Sequence, residues 1–335
     1  MRKLATLLTI AATLALVGSA TAITVDGVID AGEWDGYICT DSTSDLTPTN
    51  TASMARWGAK SDGTNIYFFM ELAGSMTWAD YISGGDVWPG LYMDVDNDRT
   101  TYCGYKNTAN IADYKTEVGP AGALWVTTGL TGADLAFEFN TDETTYVNWW
   151  GGMDSSYPAP NFKDMQGECY GNSYAYSGLV MEIAIPIDGG GTLGYNEAVA
   201  GARTSPLTPL TPSDYIVVGS IVQGDIDGVI TSGNDMGCPT AIAIDPTNKP
   251  LLGGDATLDG AVTAGDLAIL AASYGASYPA SWMMGDFNRD AAVTAGDLAI
   301  LAANYGSSAA PPAATPEPAT LGLLALGVLG LLRRR

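Results

Sequence analysis

The sequence predicts a mainly β protein, an N-terminal β-sandwich followed by a small all-α module. Three observations carry that expectation. Between residues 23 and 246, short runs of strand type alternate with glycine-rich turns, the pattern of packed antiparallel sheets. Between residues 254 and 306, a twelve-residue segment occurs twice, each copy reading as a helix behind an acidic loop. Between these two regions lies a turn-rich stretch, Asp-Pro-Thr-Asn-Lys-Pro at 245–250, where the composition changes.

The strand-type runs can be placed in order. Residues 54–60 and 66–72 flank a Ser-Asp-Gly-Thr-Asn turn and read as a hairpin. Runs at 90–94, 114–118, 124–128 and 135–139 follow, then 179–185 and 215–222. No amphipathic helical pattern of useful length falls in this region. The expected organisation is 1–22 signal peptide, 23–246 sandwich, 247–253 linker, 254–307 repeat module, 308–315 Pro/Ala-rich linker and 316–335 sorting tail.

The repeat carries the most specific chemistry. AVTAGDLAILAA stands at 261–272 and again at 292–303, 31 residues on, and an acidic cluster precedes each copy. Calcium takes six to eight oxygen ligands, and a 12-residue loop supplies them from positions 1, 3, 5, 7, 9 and 12. In the first copy those positions are Asp255, Thr257, Asp259, the Ala261 carbonyl, Thr263 and Asp266. In the second they are Asp286, Asn288, Asp290, the Ala292 carbonyl, Thr294 and Asp297. Val262 and Val293 lie between ligands and can enter a core. Thr263 and Thr294 can cap the helices, with Asp266 and Asp297 completing capping boxes. Leu267, Leu270 and Tyr274 then share one helical face, as do Leu298, Leu301 and Tyr305, and Gly275 and Gly306 end the helices. Position 3 is the weaker ligand Thr257 in the first loop. Position 6 is Gly260 in the first and Ala291 in the second, which predicts a strained and weaker second site.

Two such loops at matching register resemble a type I dockerin, with two bound calcium ions. The resemblance implies a cohesin-like partner. The pairs at positions 10 and 11, Ala264-Gly265 and Ala295-Gly296, lack the polar side chains with which cellulosomal dockerins often read a cohesin.

The two ends carry targeting signals. A basic start, an uncharged run at 4–17 and Ala20-Thr21-Ala22 form a secretory signal peptide. At the other end, Pro316-Glu317-Pro318 precedes an apolar run at 319–332 and then Arg333, Arg334 and Arg335. This order resembles a PEP-CTERM sorting signal. The resemblance implies export through the inner membrane, recognition by an exosortase and a transient anchor, with the arginines on the cytoplasmic side. A surface or extracellular location follows. A permanent C-terminal anchor is the alternative.

In the large region, ITVDGVIDAGEW at 23–34, ARWGAKSDGTNIYFFMEL at 55–72, LYMDVDND at 91–98, ADYKTEV at 112–118 and LVMEIAIPI at 179–187 resemble DOMON-like and CBM9-like sandwiches. Members of that group bind sugars, haem or nothing known. Trp78, Trp88, Trp149 and Trp150 lie beside Gly- or Asp-rich turns and are candidate glycan contacts, with core packing as the alternative role. Asp94, Asp96 and Asp98 alternate and would share a strand face. They form a candidate third calcium site or an acidic loop.

Charge and missing residue types bound the remaining functions. The 37 acidic residues lie inside 23–332, together with nine of the 14 basic ones, so the body carries 9 − 37 = −28. Such a surface repels phosphate backbones and excludes nucleic acid as a partner. With no histidine, Ser-His-Asp and Cys-His catalysis are absent, as are His-ligated zinc sites. Cys39, Cys103, Cys169 and Cys238 form no C-x-x-C pair, and in an exported chain they predict two disulfides. The leading reading is an exported, non-catalytic surface or matrix protein with a calcium module and a carbohydrate-binding domain, its ligand an extracellular polysaccharide. The alternatives are a polysaccharide-degrading carboxylate-pair hydrolase and a purely structural matrix protein.

Overall fold

A computed structural model describes residues 23–40, 53–74, 77–80, 87–95, 135–139, 147–151, 173–189, 194–196, 209–224, 235–277 and 280–309. The expected runs at 114–118 and 124–128, Cys103 and Cys169, and both chain ends lie outside them.

Strands β1 (Ile38–Thr40), β2 (Ser53–Ser61), β3 (Asn65–Ala73), β7 (Ser173–Ser177) and β8 (Val180–Pro186) form one antiparallel sheet, in the order β1-β2-β3-β8-β7. Strands β4 (Val87–Asp94), β5 (Leu135–Phe139), β6 (Val147–Gly151), β9 (Tyr215–Gly224) and β10 (Asp235–Met236) form a second, in the order β10-β9-β4-β5-β6. Strand β11 (Thr240–Ala243) also pairs with β9. The predicted hairpin is β2-β3, turned by Asp62, whose side chain accepts from the amides of Thr64 and Asn65.

Period-2 alternation builds the core between the sheets. Ile66, Phe68, Met70 and Leu72 of β3 and Met181, Ile183 and Ile185 of β8 meet Leu91 and Met93 of β4, Ile216 and Val218 of β9, and Ile242 of β11. The opposite face of the first sheet is covered by residues 23–36. There Glu182, fully buried in mid-strand, accepts from the Asp26 and Gly27 amides and from Trp34 Nε1 at 3.0 Å. Trp34 stacks edge-on against Phe69. A carboxylate is tolerated at that depth because three donors satisfy it, although burial still pushes its pKa up.

Two helices follow, α1 (Ala264–Ser273) and α2 (Ala295–Asn304), with a 3-10 turn at Trp282–Met284 between them. A second apolar cluster joins them to the sandwich: Tyr215, Val217, Ala241 and Ala243 of the second sheet pack with Val262, Leu270, Val293, Leu301, Trp282 and Phe287. The stretch read as a linker is fastened to the sandwich. Tyr215 Oη donates to the Pro250 carbonyl at 2.8 Å, Lys249 lies 4.0 Å from the Tyr215 ring centroid, and Asn248 donates to Pro212 O.

Three expectations need correction here. Only Leu270 and Leu301 of the predicted helical faces are buried. Leu267, Tyr274, Leu298 and Tyr305 are exposed, because each helix touches the rest through a narrow stripe and the two tyrosines stand past the last helical residue. Trp78 is a core residue with no exposure, held on a short helical turn whose amide donates to Gly178 O. Cys39 and Cys238 are buried without a disulfide between them, set around the Arg289 side chain in a space they share with Trp282 and Asp286.

Candidate metal centre

The two loops fold alike because their sequences make the same local demands. Thr263 and Thr294 cap α1 and α2 with identical backbone angles, φ −130 and ψ −172. In both capping boxes the aspartate three residues on accepts from the cap's own amide, at 2.8 Å in each copy. Positions 4 and 6 are left-handed in both loops, Leu258 and Gly260 in the first, Arg289 and Ala291 in the second. Ala291 at φ 65 confirms the strain expected there, since a β-carbon opposes that conformation.

At position 1, Asp255 and Asp286 are buried and accept from the amides of position 6, Gly260 at 2.8 Å and Ala291 at 2.9 Å. At position 12, Asp266 and Asp297 are buried and accept from the amides of positions 2 and 3. The valines at position 8 enter the core. Val262 exchanges backbone bonds with Gly306 and Ser307, and Val293 does so with Gly275 and Ala276, which gives the pair its pseudo-twofold relation.

The loops differ in how they hold their carboxylates. In the second, Asp286, Asp290 and Asp297 each bring an oxygen within 4.8 Å of the other two, a grouping of three carboxylates found only there among the described residues. Burial, then the nearby Asp297 and Asp290, pushes the Asp286 carboxyl up to about 7. Such a cluster is costly without a cation and fits calcium's oxygen donor set. In the first loop the Thr257 hydroxyl stands between Asp255 Oδ1 at 3.3 Å and Asp266 Oδ1 at 3.0 Å. Burial is also the main cause that raises the Asp255 pKa. The expectation of a weaker second site therefore meets an opposing observation: the second loop has the strained backbone and also the more closely gathered carboxylates. Asn288 and Asp290 are exposed and linked by a 2.8 Å bond.

The other candidates separate. Asp94 is buried at the end of β4, opposite Val217 of β9, whereas Asp96 and Asp98 lie outside the described residues. Backbone register divides the tryptophans. Trp149 pairs with Phe137, and Phe137 with Leu91. Trp150 pairs with Ala136, and Ala136 with Tyr92, whose other neighbour is Gly219. Trp88 of β4 pairs with Gln223 of β9.

Buried carboxylates elsewhere hold structure. Glu33 accepts from the amides of Thr24 and Asp30, and Glu182 grips the same N-terminal segment.

Comparison with known proteins gives one family match. Residues 314–335 match the PEP-CTERM protein-sorting motif, so the chain carries that signal at its C-terminus. No curated protein matches the chain. Among solved structures, the chain is similar to a carbohydrate-binding module of family 9 from Caldicellulosiruptor kristjanssonii. In the complex with glucose the identity is 11%, the coverage 65% of this chain and 82% of that one, and the TM-score 0.32. In the complex with cellotriose these values are 11%, 64%, 79% and 0.31. A likeness of that depth decides nothing about ligand. Among the described residues no helix is long and apolar enough to cross a membrane.

Proposed function

We propose that this is an exported, surface-displayed, non-catalytic protein whose C-terminal repeat binds two calcium ions in dockerin-like loops and whose sandwich binds an extracellular polysaccharide. The observation that carries the calcium reading is the convergence of Asp286, Asp290 and Asp297 within one loop, repeated in backbone form by the loop of Asp255 and Asp266. Position 12 supplies the clasp. The sorting motif implies export, handling by an exosortase and a transient membrane anchor.

Calorimetric titration of the exported chain tests the metal. Two calcium ions should bind, and Asp266→Ala and Asp297→Ala should each remove one. At ~100 times Kd, calcium should add ~2.7 kcal/mol per site to folding stability. Two substituted loops that still take two ions would defeat the reading.

The polysaccharide reading is supported by the backbone register that sets Trp150, Ala136, Tyr92 and Gly219 in one row across the second sheet, with Trp88 further along β4. The non-catalytic reading is supported by Glu33 and Glu182, whose carboxylates are engaged within the fold rather than paired across a cleft. Retention on polysaccharide-loaded gels should fall by roughly 1 kcal/mol or more in Trp88→Ala and Trp150→Ala, with little change in melting temperature. Unchanged retention in both variants would shift the sandwich to a structural role, and release of reducing sugar would shift it to hydrolysis.

A further inference from the structure

The pseudo-twofold symmetry of the two loops breaks at position 4. Leu258 and Arg289 share a left-handed backbone, φ 59 and 62, and both are buried. Leu258 lies in the apolar cluster beneath the second sheet. Arg289 reaches into the sandwich instead. Its Nε donates to Thr240 Oγ1 at 2.9 Å, one terminal nitrogen to the Ala241 carbonyl at 3.2 Å, and the other to the Gly36 carbonyl. The guanidinium lies 4.7 Å from the Trp282 ring centroid and 5.4 Å from that of Tyr37. The Arg289 carbonyl in turn accepts from the Thr40 amide at 3.1 Å. One loop residue thus grips β11, the end of β1 and the segment before it.

Thr240 and Ala241 are buried and Gly36 is exposed, so withdrawing the loop would leave two buried neutral oxygens, Thr240 Oγ1 and the Ala241 carbonyl, without the arginine's donors. Asn288 and Asp290 flank Arg289 in the chain, and both belong to the ligand set. The backbone that carries the arginine is therefore held between two groups that converge on the same point. Asp286, Asp290 and Asp297 stand close enough to repel one another there.

We propose that the second loop is a latch between the C-terminal repeat and the sandwich, closed when its carboxylates hold a divalent cation and transmitted through Arg289. The proposal rests on the calcium reading above and adds a consequence to it. Calcium at this loop orders strands it never touches, and calcium at the first loop does not.

Hydrogen exchange of the exported chain, read by mass spectrometry over residues 36–40 and 240–243, tests the latch beside a calcium titration of the same sample. Calcium at ~100 times Kd should slow exchange there by up to ~100-fold. Asp290→Ala, a change at an exposed side chain, should abolish that slowing and remove one ion. Asp259→Ala should remove one ion and leave the slowing intact. Arg289→Leu, which copies the first loop, should still bind two ions yet transfer no protection. Two bound ions with unchanged exchange at 36–40 and 240–243 would overturn the latch alone. Equal loss of protection in Asp259→Ala and Asp290→Ala would also overturn it, by showing a global effect. No calcium binding at all would overturn both the latch and the reading beneath it.

Discussion

At the scale of single residues, positions 4 and 6 decide how each acidic loop is built. Both need a left-handed backbone, and the chain meets that need with glycine once, at Gly260, and with Leu258, Arg289 and Ala291 otherwise. The left-handed region costs an L-residue ~1–2 kcal/mol, a cost glycine largely escapes. Leu258 and Arg289 offset it with buried contacts. Ala291 has only its methyl to set against it. Ala291→Gly should therefore raise stability by ~1 kcal/mol in denaturant unfolding and tighten calcium at the second loop. A destabilised variant would show that the buried methyl outweighs the strain. The capping threonines and the matching turns of the two acidic loops were legible in sequence, because a 12-residue repeat and a capping box are local patterns. The reach of Arg289 was not. Its partners Thr240 and Gly36 lie 49 and 253 residues away, and a basic residue at position 4 of an acidic loop reads as a solvated charge.

At the scale of elements, long strands with strict alternation were legible and short or edge strands were not. The β2-β3 hairpin, β5, β8 and β9 fall within a residue or two of their expected ranges, since Ile66, Phe68, Met70 and Leu72 announce a half-buried strand. β1 and β10 have three and two residues, too few to show a period, and β7 is a run of Ser, Tyr and Ala at the sheet's edge. β11 reads Thr-Ala-Ile-Ala and is buried on both faces, so it shows no alternation and has no predicted run of its own within the expected sandwich. That strand matters most for the join, because one face meets the inter-sheet core and the other meets the repeat. Gly237, between β10 and β11, tests how tightly this corner is closed. A β-carbon there would stand 2.0 Å from Trp57 Nε1 and 2.4 Å from its Cδ1, and Trp57 has no exposure with which to move aside. Gly237→Ala should cost ~1–3 kcal/mol by overpacking, measured by thermal or denaturant unfolding. A neutral result would mean that the ring can shift into space the packed core does not reveal.

At the scale of the whole molecule, the chain runs from a sandwich, through a repeat packed onto it, to a sorting motif. The composition shift at 245–250 marks a change of element type, and the linker expected at 247–253 is fastened to the sandwich. Composition reports helix against strand, whereas independence depends on which apolar faces remain uncovered. Here Val217 and Ala243 on one side need Leu270 and Leu301 on the other. The path toward the tail begins inside this assembly. Ala261 bridges to Ser308, and the Ala309 amide donates to the Gly260 carbonyl at 2.7 Å, so the first loop fixes where the chain leaves the fold. Beyond it come a Pro/Ala-rich stretch, Pro316-Glu317-Pro318, fourteen apolar residues at 319–332 and three arginines. The apolar run falls short of the ~20 residues that a comfortable span requires, which suits an anchor that holds the protein only until it is processed. In a host with an exosortase, the mature protein should lose the segment after Pro318, the three arginines with it, and should begin at or within a residue or two of Ile23. Intact-mass analysis of surface-released material reads both ends at once. A mass that retains Arg333 to Arg335 would make the tail a permanent anchor.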